Sequence, residues 1–156
     1  MKKAFIVFIF AIFSIFIVNL SASAQGRTVE PKIQRDPVLE EDAMKNLEIA
    51  RQYFVTKKAY RAVLMRCDMI QAAYPEFSRY DEVLYLMGMS GYYLSEGKGK
   101  QKVDIGKIIA KDDKERYKPE RLREEAIGNL NLLVEKFPDS EFTEKAKKTL
   151  AEIDKK

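Results

Sequence analysis

The side chains able to do acid, base, nucleophilic or metal chemistry are few in this sequence, and their spacing does not assemble them into a site. There is no histidine among the 156 residues, which removes the histidine-based triad, the ordinary zinc site and the imidazole general base. The acidic neighbours Glu40-Glu41-Asp42 and Asp112-Asp113 have the look of paired carboxylates. A helix start, or lysine and arginine close by, accounts for each of them as a solvated face. Gly97-Lys98-Gly99-Lys100 invites a phosphate-loop reading, but that motif needs glycine where Tyr92 stands and Ser or Thr where Gly99 stands. The single cysteine, Cys67, excludes an internal disulfide. It falls on the apolar side of a helical pattern and reads as a small hydrophobe, the alternative being a redox or dimerising thiol. No catalytic residue, metal ligand or cofactor is expected, so any function has to come from a recognition surface.

The elements that would position such a surface are helical. Tyr60, Val63, Cys67, Ile70 and Tyr74 recur at steps of three and four, which puts them on one helical face. Pro75 ends that helix, Ser78 is expected to cap the next, and Leu84, Met87, Gly88 and Gly91 follow on one side. The pattern is repeated by Leu122, Ala126, Leu130, Leu133 and Phe137, then Pro138-Asp139-Ser140, then Phe142, Ala146, Leu150 and Ile153. Upstream, Asp36-Pro37 supplies a capping carboxylate and a proline at the first helical position. Leu39, Ala43, Leu47, Ala50 and Phe54 mark a first amphipathic helix ending near Thr56, and Lys57-Lys58 makes the turn into the second. The fold class is all-α, a stack of helical hairpins with about five helices.

Residues 1–24 read as a secretory signal peptide: Lys2-Lys3, an apolar run from Ala4 to Val18 broken only by Ser14, and Ala22-Ser23-Ala24 before a cleavage point at Gln25. The alternative is an uncleaved anchor, because the run from Ala4 to Leu20 lies at the lower edge of a membrane span. Residues 25–36 form a polar, aperiodic leader, expected to be flexible, and 37–156 the helical domain. Without Lys2 and Lys3, 26 basic residues face 24 acidic ones, a net +2. That small excess, together with export, argues against nucleic acid as a partner. An insertion at about 97–118 opens with glycine and lysine, which predicts a mobile loop, although Val103, Ile105, Ile108 and Ile109 offer a short apolar turn. From Lys98 to Arg123 the chain carries ten basic residues against five acidic ones, with Lys98, Lys100, Lys102, Lys107 and Lys111 as the insertion's basic set. These read as a solubilising loop or as contacts to anionic lipid or an acidic partner.

With Met44 as its first position, a unit of about 34 residues places Leu47, Ala50, Phe54, Val63, Cys67, Ile70 and Pro75 where a tetratricopeptide repeat puts its packing residues and terminal proline. Val63 and Cys67 depart from the usual alanine and aromatic. A second unit begins near Asp81 and resumes its second helix at Pro119 after the insertion. The last helix, from Phe142 to Ile153, is expected to cap the stack, with Glu144, Lys145, Lys147 and Lys148 toward water. The runs YPEFSRYDEVLYLMGMSGYYL and EAIGNLNLLVEKFPDSEFTEKAKKTLAEI resemble the joins between repeats in BamD-like outer-membrane assembly lipoproteins. Two departures stand out: there is no cysteine at the signal-peptide cleavage point, and about two and a half repeats where that protein has five.

The resemblance implies an α-solenoid without catalytic function. In the repeat frame Glu48 and Gln52 of the first unit and Tyr85, Met89, Tyr92 and Tyr93 of the second line the concave face, Tyr85, Met89 and Tyr92 sharing one stripe. The same tyrosines and Met89 read equally as core beneath the insertion. The expected function is an exported scaffold of the periplasm or cell envelope that binds an envelope protein or extended peptide, with outer-membrane assembly implied by the resemblance. The alternative is a structural protein held by its N-terminus, whose basic insertion makes peripheral contact with lipid.

Overall fold

A computed structural model describes residues 35–100, 106, 108 and 110–155. The signal peptide, residues 25–34 of the leader, Lys102, Val103, Ile105, Lys107 and Ile109 lie outside the described residues, as does the side chain of Lys111. The described chain holds six α-helices: α1 Pro37–Gln52, α2 Tyr60–Ala73, α3 Tyr80–Ser95, α4 Lys111–Arg116, α5 Pro119–Lys136 and α6 Thr143–Ile153. No strand occurs among the described residues. The helix beyond the expected five is α4, a short turn inside the insertion. None of the described helices is long and apolar enough to cross a membrane.

α1 starts where the sequence places it. Asp36 Oδ1 accepts from the Val38 N–H at 2.8 Å and the Leu39 N–H at 3.4 Å, with Pro37 at the first helical position. It ends in a π-turn, Tyr53–Lys57, closed by Lys58 in the left-handed region at φ 50°. α2 stops before Tyr74 and α5 before Phe137, both of which leave the helical region (φ −151° and −130°) ahead of the proline that disfavours it. One expected cap is absent. α3 begins at Tyr80 after Arg79 with no side-chain cap, and Ser78 instead donates its backbone N–H to Glu40 Oε1 of α1. The Pro75 turn is held against the first helix, so Ser78 lies one residue too early to cap.

Each helix packs on the next long helix in the chain: α1 on α2, α2 on α3, α3 most extensively on α5, and α5 on α6. Leu47, Ala50, Val63, Cys67, Ile70 and Val83 fill the first seam, and Leu84, Ala126, Leu130, Leu133, Ala146 and Ile153 the second. A fully buried leucine or isoleucine contributes about 1.5–3 kcal/mol relative to exposure. The α3–α5 seam is close because α3 lacks side chains where α5 crosses it. A Cβ on Gly88 would stand 2.6 Å from Cγ and Cδ2 of Leu130, and one on Gly91 3.1 Å from the Leu122 carbonyl oxygen. Glu144, Lys145, Lys147 and Lys148 of α6 are exposed, the polar outer face expected of a cap.

Gly88→Ala is expected to lower stability by about 1–2 kcal/mol despite alanine's better helix propensity, because Leu130 is itself fully buried and cannot retreat. Gly128, on the exposed side of α5 with nothing near its would-be Cβ, makes the control. Gly128→Ala is expected to raise stability by up to about 1 kcal/mol. Urea denaturation of both variants checks the pair.

Candidate functional site

The first helices of the successive units, α1, α3 and α6, meet side by side through their side chains. Arg51 of α1 donates Nε and one Nη to the two oxygens of Glu82 on α3. Arg79 donates to the same carboxylate at 2.8 Å and reaches Glu141, just before α6, at 3.4 Å. Glu82 is nearly buried, its side chain 8% exposed, whereas Arg51 and Arg79 keep 36% and 39% in solvent. The Glu82 hydrogen bonds hold the Arg51 guanidinium above its ordinary pKa, against a smaller opposing effect of burial. Tyr85 of α3 stacks on Phe142 at the start of α6, ring centroids 4.9 Å apart, and Lys145 Nζ lies 5.5 Å over the same Phe142 ring. At the other end of α3, Tyr93 joins Tyr60 at 4.9 Å and Phe54 at 6.1 Å.

Of the six residues named for this face, Met89 and Tyr92 are buried, as their alternative reading as core has it, which takes them off an open surface. Glu48 and Gln52 are exposed on α1, and Tyr85 and Tyr93 are half-buried on α3 with their edges accessible. Met89 is 7% exposed and Tyr92 4%. Met89 lies under α6, where the Thr149 hydroxyl reaches its sulfur at 3.4 Å. Tyr92 packs with Ala126 and Leu130 of α5 in the second core. With α5 on one side and α6 on the other, the middle of α3 is buried on all sides but that of Tyr85 and Tyr93, which lie eight residues apart and are half-buried. Among the basic insertion residues, Lys98 and Lys100 are exposed, and Lys98 Nζ stands 5.5 Å over the Tyr93 ring and 5.6 Å over that of Tyr92.

Phe142, Lys145 and the Arg51–Glu82–Arg79 cluster are additions that the sequence reading did not make. For Phe142 a signal existed. Aligning Phe137-Pro138 with Tyr74-Pro75 sets Phe142 opposite Arg79, just before a first helix, where its ring packs on the edge of the second core and leaves part of itself exposed. The pairing of Arg51 with Glu82 has no such local signal.

The sequence profile of one family, described as "YfiO: Outer membrane lipoprotein", matches residues 72–156, more than half of the chain. The chain belongs to the YfiO family. The BamD-like resemblance read at the two repeat joins is the same relationship, and the helical fold agrees with it. No curated protein and no solved structure matches significantly. The YfiO segment opens at the end of α2 and takes in α3, the insertion, α5 and α6. Tyr85, Tyr93, Phe142 and Lys145 therefore fall inside the YfiO match, and Glu48, Gln52, Phe54 and Tyr60 before it.

Removing the shared carboxylate with Glu82→Ala is expected to cost about 1–2 kcal/mol in chemical denaturation. That is less than a wholly buried pair, because both arginines can turn into water. A pH dependence also follows. Burial pushes the Cys67 thiol and the Tyr60, Tyr85 and Tyr93 hydroxyls above their ordinary values. In the unfolded chain these groups ionise near about 8.5 for cysteine and 10 for tyrosine. Above those values the unfolded chain sheds protons that the native one keeps. Stability is therefore complete below about pH 8.5 and falls as pH rises. Thermal melts from pH 8 to 11 should show a declining Tm, and Cys67→Ala should flatten the first part of the decline.

Proposed function

We propose that this chain is an exported, non-catalytic scaffold of the cell envelope that holds an extended segment of another protein along the face formed by α1, α3 and α6, in the service of outer-membrane protein assembly. The observation that carries the reading is the pair of half-buried tyrosines on α3, Tyr85 against Phe142 and Lys145 at one end and Tyr93 beside Phe54, Tyr60 and Lys98 at the other. Tyrosine offers a large apolar ring with a polar tip at small entropic cost, which suits an extended chain of mixed side chains. Membership of the YfiO family, described as an outer membrane lipoprotein family, supports the envelope setting. The signal-peptide pattern of residues 1–24 supports export, with 25–36 as the leader and 37–156 as the folded domain. Cys67 takes no part in lipid attachment in this reading, because it is fully buried in α2.

Crosslinking is the direct test. A photo-reactive residue at position 85 or 52 in intact cells is expected to capture the same envelope protein, and one at position 65, exposed on α2, is expected not to. Equal capture from position 65 overturns the assignment of the face.

A further inference from the structure

The segment joining α3 to α5 is where the sequence predicts a mobile loop, yet both of its ends are built into the first hairpin. At the near end the Gly97 N–H donates to the Leu94 carbonyl at 2.9 Å and the Lys98 N–H to that of Tyr93 at 2.8 Å, closing α3 with Gly97 at φ 66°. Gly99, at φ 105°, is pressed against the turn between α1 and α2. A Cβ there would stand 2.8 Å from the Tyr60 ring and 2.9 Å from the Lys58 carbonyl oxygen, and only glycine fits. The Lys100 N–H then donates to that same Lys58 carbonyl at 3.0 Å. The Tyr60 ring beneath this contact touches Tyr93 on its other side.

The far end is seated more deeply. Ile108 and Tyr117 are buried in one core with Leu64 and Cys67 of α2 and Leu122 of α5. Arg116 donates both terminal nitrogens to the Asp68 carboxylate of α2, at 2.7 and 2.9 Å, and its Nε lies 3.7 Å from Glu125 of α5. Arg61 of α2 covers the Tyr117 ring at 4.8 Å. α2 and α5 scarcely touch one another directly. Both pack on α3, and beside that shared contact Ile108, Arg116 and Tyr117 join α2 to α5.

We propose that the two ends of the insertion, 97–100 and 110–118 together with Ile108, are the feet of a brace that sets the spacing between the repeats. The far foot links α2 to α5 alongside their common contact with α3. The near foot seats Tyr60 against Tyr93 and so fixes one end of the aromatic face. Arg116 is the positioning residue of the far foot, since a forked guanidinium on one carboxylate with a second carboxylate behind it fixes direction as well as distance. The brace stands whatever the face binds, and it explains why a glycine and a buried tyrosine occur in a stretch whose composition is that of a solvated loop.

Hydrogen exchange on the full chain tests it residue by residue. Arg116→Ala, which leaves the near foot in place, is expected to speed amide exchange in α2 and in the first turns of α5 by about ten- to a hundredfold, leaving α6 as in the parent protein. Arg116→Lys, which keeps the charge between Asp68 and Glu125 but not the fork, is expected to recover part of the protection. Gly99→Ala, which leaves the Arg116–Asp68 contact in place, should speed exchange at 54–60 and 93–98 without affecting the start of α5. Acceleration confined to 110–118 would show that this foot only decorates the surface. Acceleration spread equally into α6 would show a general loss of stability instead of a loss of spacing. Either result overturns the proposal.

Discussion

Everything else in this fold depends on how closely α3 and α5 approach. Gly88 and Gly91 remove the two side chains that would hold the helices apart, and Leu130 and Ala126 occupy the vacated space. Glycine within a helix costs about 1 kcal/mol relative to alanine, and dense packing across the seam offsets it. With that distance fixed, the remaining faces of α3 are assigned: one to α2, one to α6, and a narrow remnant to solvent. The surface available for recognition is the residue of these packing demands, and it is narrower than a helical wheel suggests.

Charge ties the three first helices together where apolar contact is thin. Glu82 is the centre of that network, a nearly buried carboxylate held by two arginines, one of which also reaches the element before α6. Such an arrangement contributes modestly to stability after desolvation is counted, but it penalises any rotation of α1 relative to α3 that leaves the carboxylate unpaired. The same logic recurs at Asp68 and Glu125 around Arg116. At both places a long-range ion pair fixes an angle between helices that apolar packing alone leaves soft.

Much of this was legible from residue spacing, and the misses share a cause. The helices, the Asp36 cap, the two aromatic-proline breaks and the polar outer face of α6 follow from local rules, each acting within a turn or two of chain. Met89 and Tyr92 were placed by helical phase on an open face, but phase does not say how many neighbours a helix has, and α3 has one too many for that stripe to stay exposed. Ser78 carried the right chemistry for a cap and was diverted by Glu40, far away in sequence. The insertion misled most, since glycine and lysine composition reports solvation on average. It does not report that Gly99 meets Tyr60 or that Arg116 meets Asp68. Glu48 and Gln52 are exposed and Tyr85 and Tyr93 half-buried, positions where helical phase and burial agree among the described residues.

Cys67 adds a consequence of a different kind. It is the only thiol in the chain, has no exposed surface, and sits at the seam of α2 with α3, so a soluble thiol reagent can meet it only after that seam has parted. Its rate of alkylation is therefore an internal clock for opening of the first hairpin, readable without any label or engineered probe. In an oxidising compartment the same burial acts as a kinetic shield. Where reclosing is faster than reaction, the lifetime of the reduced side chain scales with the open fraction of the hairpin as well as with the reactivity of the oxidant.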